Sequence, residues 1–283
     1  RGGRLLVGAS ILEGALSIAL MLPVPLSYYS PLVPVSAGAR VLLGAGFFLL
    51  FVLTWGAATW SGWVPPLFLA SPERTLRAGW SLLTEFGFAG DIAITVFRVV
   101  GGFAIAAAIG VPLGLMMGAF KPVEAFFEPF ISFARYLPAS AFIPLLILWA
   151  GVGEAQKLSV IFIGSFFQIV IMVAVIAGVT RMDLVEAAYT LGARSRGILR
   201  RVIIPSAAPQ VMETLRLVLG WAWTYVIVAE LIGATSGIGH MIMDSQRLLD
   251  TGQMIFGIVV IGLIGLVTDF LFKALNRTLF PWA

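Results

Sequence analysis

Long apolar segments separated by short polar ones make up most of the chain. A bilayer takes about 20 mainly apolar residues to cross, and the sequence offers seven such segments. They lie at 5–26, 41–59, 92–119, 125–150, 158–180, 210–232 and 252–275. Because a helix satisfies its backbone hydrogen bonds within one segment, we predict an all-α polytopic membrane protein. It has six core transmembrane helices and a possible extra N-terminal hydrophobic helix.

The first of these segments is ambiguous. Residues 5–26 contain a glutamate and two prolines, so this segment either spans the membrane or lies in its interface. We therefore separate an N-terminal hydrophobic segment, 1–39, from a single transmembrane domain, 40–283. The chain begins with Arg1, and residues before it are expected.

Glycine and proline recur inside the apolar segments. Those in 92–119 are Gly101, Gly102, Gly110, Pro112, Gly114 and Gly118. Small residues let helices approach closely, so helix packing accounts for them. Pro138 and Pro144 either have the same packing role or mark a bend or broken helix beside a transport pathway.

A more polar segment, 60–90, lies between the second and third apolar segments. Its sequence Ser71-Pro72-Glu73 has the order of a helix start, with an N-cap residue, a proline at the first position and an acid in the first turn. We predict a short helix that begins here and lies on the outer surface.

The composition agrees with a membrane protein and excludes several kinds of site. Hydrophobic residues make up 60% of the chain and charged residues 11%, with a mean hydropathy of +1.02, whereas soluble domains are about 25% charged. The net charge of +4 comes from basic residues near helix ends, so we predict no nucleic-acid partner. With no cysteine and one histidine, the chain offers no disulfide framework, thiolate site or multi-histidine metal site.

Lysine and arginine are enriched on the cytoplasmic side of membrane proteins. The basic loop 181–209 is therefore placed inside, which also puts Lys121, Lys273 and Arg277 inside. The segments 60–90, 151–157 and 233–251 then lie outside.

The first half of this loop predicts a short helix. Asp183 and Glu186 have the spacing of a capping box, and Gly192 fits a helix C-terminus. Apolar residues at helical spacing between them are Leu184, Ala187, Ala188 and Leu191.

The second half predicts another short helix, at about 194–203. Pro205 ends it, since helices usually stop before proline. Arginines lie along this helix at 194, 196, 200 and 201. Two helices too short and too polar to span the membrane indicate a surface that docks into a groove on a soluble partner.

The spacing of the loop resembles the signature cytoplasmic loop of ABC importer permeases, the binding-protein-dependent transport family. The pattern is Glu-Ala-Ala at 186–188, three residues, Gly192, nine residues, then aliphatic-x-aliphatic-Pro ending at Pro205. Val202 and Ile204 stand where that family usually has Ile and Leu. Other segments are similar to its nitrate/sulfonate/taurine branch: VPP…SP at 64–72, PLLILWAGVGE at 144–154, VAELIGATSGIG at 228–239 and Phe-Pro-Trp at 280–282.

The resemblance implies a multi-pass permease of the bacterial inner membrane, with short cytoplasmic coupling helices in a loop at 181–208. The implied partners are a second copy of the permease, two cytoplasmic ABC ATPase subunits, a periplasmic or lipid-anchored substrate-binding protein, and membrane lipid. ATP and Mg would be bound by the ATPase subunits, because this chain has no phosphate-binding loop and needs no cofactor of its own. The implied ATPase-coupling residues are Asp183, Glu186, Ala187, Ala188, Gly192, Arg194, Arg196 and Pro205.

Polar residues inside apolar segments are the candidates for the transport pathway or a gate. Arg98 either serves the pathway, where it would attract an anion, or forms a structural ion pair. Gln168 is the amide of its segment, and Glu230 lies beside glycines in the region that the resemblance marks as an outer gate. For Arg216 and Asp269 the explanations are extension toward the interface or an interhelical pair.

These observations predict the pore-forming subunit of an ATP-driven importer, without an ATPase site of its own. It would move a small anionic solute such as nitrate, a sulfonate or taurine, or bicarbonate by alternating access. The alternatives are a secondary transporter or channel that needs no ATPase, and a membrane scaffold that transports nothing.

Overall fold

A computed structural model describes residues 35–282, and within that range every regular element is helical. The chain divides into two compact units, of which the first ends at Val64. The described part of the first unit is helix α1, Ala37–Trp60. The hydroxyl of Ser36 caps it by accepting a hydrogen bond from the backbone N–H of Ala39 at 3.3 Å. This helix confirms the segment predicted at 41–59.

The second unit begins with a short amphipathic helix, α2, Pro72–Thr84. The hydroxyl of Ser71 accepts a hydrogen bond from the N–H of Arg74 at 3.3 Å, and Pro72 occupies the first turn. The predicted helix start is confirmed. The absent side chain of Gly79 makes room for the ring of Phe256, since a Cβ there would lie 2.2 Å from it.

The chain then forms helix α3, Phe88–Ala119, followed by a span that is broken in two. The halves are α4, Lys121–Ala134, and α5, Ile143–Ala150, which follows a 3-10 turn at Ala139–Phe142. The axis bends by 82° between the two halves.

The apolar segment predicted at 125–150 therefore corresponds to two helices with a bend between them, and the alternative of a bend or broken helix at Pro138 holds. Pro138 has φ −66° and ψ 122°, an extended conformation. Proline lacks a backbone N–H and disfavours helical geometry in the residue before it, so the helix ends ahead of Pro138.

Helix α6, Glu154–Gly178, packs parallel to α3 along a row of glycines. The facing pairs keep a constant spacing of 59 residues: Gly102 and Ile161, Gly110 and Ile169, Gly114 and Val173, Gly118 and Ala177. Because α3 and α6 run in the same direction, the chain between them must return to the side of the bundle where α3 began. The helices α4 and α5 make this return. The packing role predicted for these glycines is confirmed.

Beyond α6 the chain forms α7, Met182–Thr190, and then one long helical stretch, Ser195–Leu231. That stretch consists of α8, Ser195–Ile198, a π turn at Leu199–Ile203, and α9, Ile204–Leu231. The helix thus starts well before residue 210, where the sequence placed the beginning of the span. The last elements are α10, Ile238–Arg247, and α11, Thr251–Leu279, which matches the segment predicted at 252–275.

Within residues 35–282, five helices are long and apolar enough to cross a membrane, and the bent pair α4–α5 makes a sixth if its halves form one span. This agrees with the six predicted core helices. The segment at 5–26 lies outside the described residues.

The bundle has two chemically different ends. At one end, Arg98 in the first turns of α3 meets Glu230 at the close of α9. At the other end, Ala119 of α3 packs with Ile198 and Ile203. These two regions lie roughly 30 Å apart along α3, at about 1.5 Å per helical residue.

Candidate functional site

The polar segment 181–205 begins with α7, whose start differs from the predicted one. The N-cap residue is Arg181, and no side chain caps the helix. Asp183 lies inside the first turn, where its carboxylate accepts a hydrogen bond from Arg181 Nη2 at 2.5 Å. The predicted capping box of Asp183 and Glu186 is therefore wrong, because the helix begins before Asp183.

The pair of Arg181 and Asp183 lies on the surface. The hydrogen bond from Arg181 lowers the pKa of the Asp183 carboxyl below its ordinary value. The same hydrogen bond raises the pKa of the guanidinium. Both side chains therefore stay charged at neutral pH, and the acid lies in the first turn of α7, where a negative charge favours the helix.

Gly192 ends α7 as predicted. Its φ is +78°, in the left-handed region that favours glycine. The N–H of Ala193 donates to the carbonyl of Ala188 at 3.0 Å, and the N–H of Gly192 donates to Tyr189 at 2.9 Å. These two bonds form a Schellman motif, so the direction of the chain after α7 depends on the conformation of Gly192.

Pro205 does not end the second helix, contrary to the prediction. The π turn directly precedes it, and the N–H of Ile204 donates to the carbonyl of Leu199, five residues back. The wider turn makes room for a ring that would clash with the carbonyl four residues earlier. As a result, α8 continues into the spanning helix α9 without a loop.

One side of α7 packs against the bundle and the other is open. Val185 and Ala188 pack against a buried cluster formed by Ala177, Ile198 and Ile203. The other predicted apolar positions, Leu184, Ala187 and Leu191, are exposed, and Leu191 is 87% exposed. Further exposed positions predicted for coupling are Glu186, Arg194, Arg196 and Pro205.

The opposite end of the bundle contains a buried polar cluster around Arg98, which we call the Arg98 cluster. Its members are Arg98, Thr95, Asp91, Glu154, Glu230 and Ser236. Arg98 is 1% exposed, and its five N–H groups make five hydrogen bonds. Those to Glu154 form a two-pronged pair, Nε to Oε2 at 2.7 Å and Nη2 to Oε1 at 2.6 Å. Two more reach the carbonyl and hydroxyl of Ser236, at 2.8 and 3.2 Å.

Glu230 is the fully buried acid of the Arg98 cluster. It accepts from Arg98 Nη1 at 2.7 Å, from the hydroxyl of Thr95 at 2.8 Å and from the N–H of Gly239 at 2.8 Å. A buried charge is tolerated when it is paired and fully hydrogen-bonded. Glu230 therefore ties the end of α9 to α3 and to the start of α10.

The turn after α9 passes directly over this pair. Gly237 has φ +111°, and a Cβ there would lie 2.5 Å from the Glu230 carboxylate and 2.6 Å from Arg98 Nη1. The N–H of Gly237 donates to Asp91 at 2.6 Å. Glycine is required at this position by both the backbone angle and the space.

Sequence reasoning found Arg98 and Glu230 but did not single out their partners. Thr95 lies one turn before Arg98 on the same helix, a spacing that places both on one face. Glu154 and Ser236 lie inside two of the segments that resemble permeases, 144–154 and 228–239. Of the residues predicted for the pathway, Arg98 and Glu230 meet in the cluster, whereas Gln168 lies elsewhere.

Gln168 lines a cavity of about 320 Å³ beside the break in the α4–α5 span. The cavity wall includes Pro138 and Ser140 from the break, and Thr224 and Tyr225 from α9. Among the described residues that line it, none is acidic, and Arg135 is the basic one. Hydroxyl and amide groups around an apolar cavity suit a small polar solute, and irregular backbone at membrane depth occurs where it lines a cavity.

Comparison with known proteins places the chain in a family. Residues 110–281 match the model of the binding-protein-dependent transport system inner membrane component. Two relatives are the taurine transport system permease protein TauC of Escherichia coli (strain K12) and the putative aliphatic sulfonates transport permease protein SsuC of Bacillus subtilis (strain 168). TauC is 31% identical, over 86% of this chain and 90% of its own. SsuC is 31% identical, over 82% of this chain and 84% of its own.

A solved structure confirms the fold independently. A chain of the MetNI methionine ABC transporter, in an inward facing conformation, aligns with a TM-score of 0.62 at 18% identity, over 68% of this chain and 95% of its own. The match to the family model covers more than half of the chain, and the motif-based resemblance is confirmed. The chain therefore belongs to the inner membrane components of binding-protein-dependent transport systems: it is a multi-pass permease subunit of an ABC importer, without a cofactor of its own, whose ATPase is a separate subunit.

Proposed function

We propose that this permease moves a small solute with an anionic sulfonate or carbonate group across the inner membrane by alternating access, as one of two copies that form the pathway. The relatives' names supply the substrate class. They are permeases of taurine, aliphatic sulfonate and bicarbonate systems, whose solutes share a compact sulfonate or carbonate group. The transmembrane domain would extend over 40–283, with its coupling loop at 181–208.

The cavity at Gln168 is the observation in this chain that supports the substrate class. Its amide, with the hydroxyls of Ser140, Thr224 and Tyr225, offers neutral hydrogen-bond donors, and none of its described lining residues repels an anion. Arg98 uses its five N–H groups inside its own cluster. We therefore assign solute contact to Gln168, and a structural role in the gate region to Arg98 and Glu230.

The segment 181–205 would connect this pathway to ATP hydrolysis. Its exposed apolar side chains, Leu184 and Leu191, would enter a groove of the ATPase subunit, and the exposed Arg194 and Arg196 would face acidic groups at the rim. Because α8 continues into α9, a movement of the docked segment would reach the wall of the cavity directly. Two ATPase subunits and a binding protein that delivers the solute complete the proposed assembly.

Uptake into proteoliposomes containing the assembled complex tests this proposal. We expect ATP-driven uptake of at least one of taurine, an alkanesulfonate or bicarbonate when the binding protein is present. Gln168→Glu places a negative charge in the cavity and should lower uptake by roughly tenfold or more, since one misplaced charge costs over 1.4 kcal/mol. The matched control is Gln246→Glu, which makes the same change on the exposed surface of α10.

Two results would contradict the proposal. Equal uptake in the Gln168→Glu and Gln246→Glu variants would remove the cavity from the pathway. Uptake driven by an ion gradient, without ATP or the ATPase subunits, would favour a secondary transporter instead.

A further inference from the structure

Arg98 joins three separate parts of the fold. It lies on α3, and its two-pronged pair with Glu154 reaches the first residue of α6. Its other hydrogen bonds reach Glu230 at the end of α9 and Ser236 in the turn that follows. A change in any one of these contacts alters how the three parts are held together at this end of the bundle.

The two acids that pair with Arg98 differ in burial. The side chain of Glu230 is 0% exposed, whereas that of Glu154 is 46% exposed. Glu230 has further donors in Thr95 and Gly239. Separating Glu230 from Arg98 would leave buried charges without partners, which is costly. When Glu154 moves away, water solvates its half-exposed carboxylate, while Arg98 keeps Glu230 and Ser236 and the buried Lys157 keeps its hydrogen bond to the carbonyl of Gly153.

Glu154 also follows a turn that contains two glycines. Gly151 has φ +73°, and Gly153 is fully extended. This turn connects α5, the second half of the broken span, to α6. It touches the turn after α9, since a Cβ on Gly233 would lie 3.2 Å from Val152 Cγ1. The pair of Glu154 and Arg98 is thus the charged contact between a glycine-rich turn and α3.

We infer that Glu154 is a positioning residue of the transport cycle: its pair with Arg98 is the releasable contact that holds the turn between α5 and α6 in place, and through α5 the break that lines the cavity at Gln168. The pair of Arg98 and Glu230 is the contact that stays formed throughout the cycle. This inference rests on the proposed alternating-access function, to which it adds the residue that sets how readily the outer side opens.

The chain has no cysteine, so Ser140→Cys gives a single labelling site in the cavity wall. Labelling of the assembled complex by a membrane-impermeant maleimide, added from the outer side without solute or nucleotide, reports opening at this end. Glu154→Gln in this background should increase the labelling rate about fivefold. Glu154→Asp, whose side chain is one methylene shorter and reaches Arg98 less well, should give an intermediate rate.

The matched control is Glu128→Gln, in which an exposed acid of α4 loses its charge away from the Arg98 cluster. It should leave the labelling rate unchanged. The thermal midpoint of Glu154→Gln should stay close to that of the parent, because Arg98 keeps Glu230 and Ser236. Glu230→Gln should lower the midpoint clearly.

An unchanged labelling rate in both Glu154 variants would overturn the inference, and so would an equal increase in the Glu128 control. A loss of thermal stability in Glu154→Gln as large as that in Glu230→Gln would show a purely structural role and also overturn it. Because labelling uses neither solute nor ATP, its outcome is separate from anion uptake: faster labelling without uptake refutes the transport proposal alone.

Discussion

Gly118 of α3 lies directly against the backbone of Ala174 in α6. A Cβ on Gly118 would lie 2.3 Å from the Ala174 carbonyl oxygen, and one on Gly114 would lie 2.7 Å from that of Val170. Backbone atoms cannot rotate away as a flexible side chain does. The two helices are therefore in contact along a face that accepts no larger residue at these positions.

Gly118→Ala should destabilise the protein. The added methyl group forces α3 and α6 apart, and such overpacking costs about 1–3 kcal/mol. Unfolding in mixed micelles measures this cost. Gly90→Ala is the matched control on the same helix, because a Cβ there has nothing within 4 Å, and it should be neutral or slightly stabilising. Equal stability of the two variants would contradict the glycine-mediated packing.

Asp269 should contribute to the attachment of α11 to α9. Its carboxylate pairs with Arg216, whose side chain is 16% exposed, and with Lys273 Nζ at 2.7 Å. Asp269→Asn should lower the free energy of unfolding by about 1 kcal/mol, because Arg216 keeps its second partner, Glu213.

The comparison for this variant is Asp244→Asn, which affects an exposed pair with Arg247 and a contact with His240 on the same helix. Exposed pairs contribute little, so the same denaturation measurement should show almost no change. A loss in Asp269→Asn no greater than that in Asp244→Asn would contradict a structural role for the interhelical pair.

Pro205 should set the geometry of the connection between α8 and α9. Pro205→Ala restores a backbone N–H and removes the ring, so the π turn can close into an α-helix. An α turn contains about one residue fewer than a π turn. The change would therefore rotate the segment 181–203 by about 100° relative to α9. We expect normal insertion but less uptake per ATP hydrolysed.

Pro209→Ala is the control for this prediction, because it removes a proline inside α9 without an adjacent π turn. The ratio of solute taken up to ATP hydrolysed is obtained for each variant by measuring uptake and phosphate release on the same vesicles. A similar ratio in the two variants would show that the π turn has no part in coupling.

Local sequence signals predicted the local structure well. Ser71 and Pro72 marked a helix start, and Gly192 marked a left-handed turn, because each acts through its own backbone conformation. The start of α7 was misplaced because Asp183 is as favourable inside a first turn as at a cap. Pro205 was misinterpreted because a π turn satisfies the same restriction as a helix end.

The Arg98 cluster could not be predicted from local sequence signals. Glu154 lies 56 residues and Glu230 132 residues from Arg98 along the chain, and their pairing depends on the parallel packing of α3 with α6 and the return of α9. The sequence identified the two charges as unusual for an apolar segment. It did not show that Arg98 and Glu230 lie within hydrogen-bond distance of each other.

The central claim is that ATP hydrolysis on a separate subunit drives transport through the segment 181–205. Gly192→Asp tests it most directly, because a side chain at φ +78° strains the turn that orients α7. Gly62→Asp places the same side chain at φ +73° outside this segment, where a Cβ has nothing within 4 Å. In the reconstituted complex, we predict that Gly192→Asp inserts normally but loses solute-stimulated ATP hydrolysis and uptake by roughly tenfold, while Gly62→Asp keeps both. Normal solute-stimulated hydrolysis and uptake in Gly192→Asp would contradict the account.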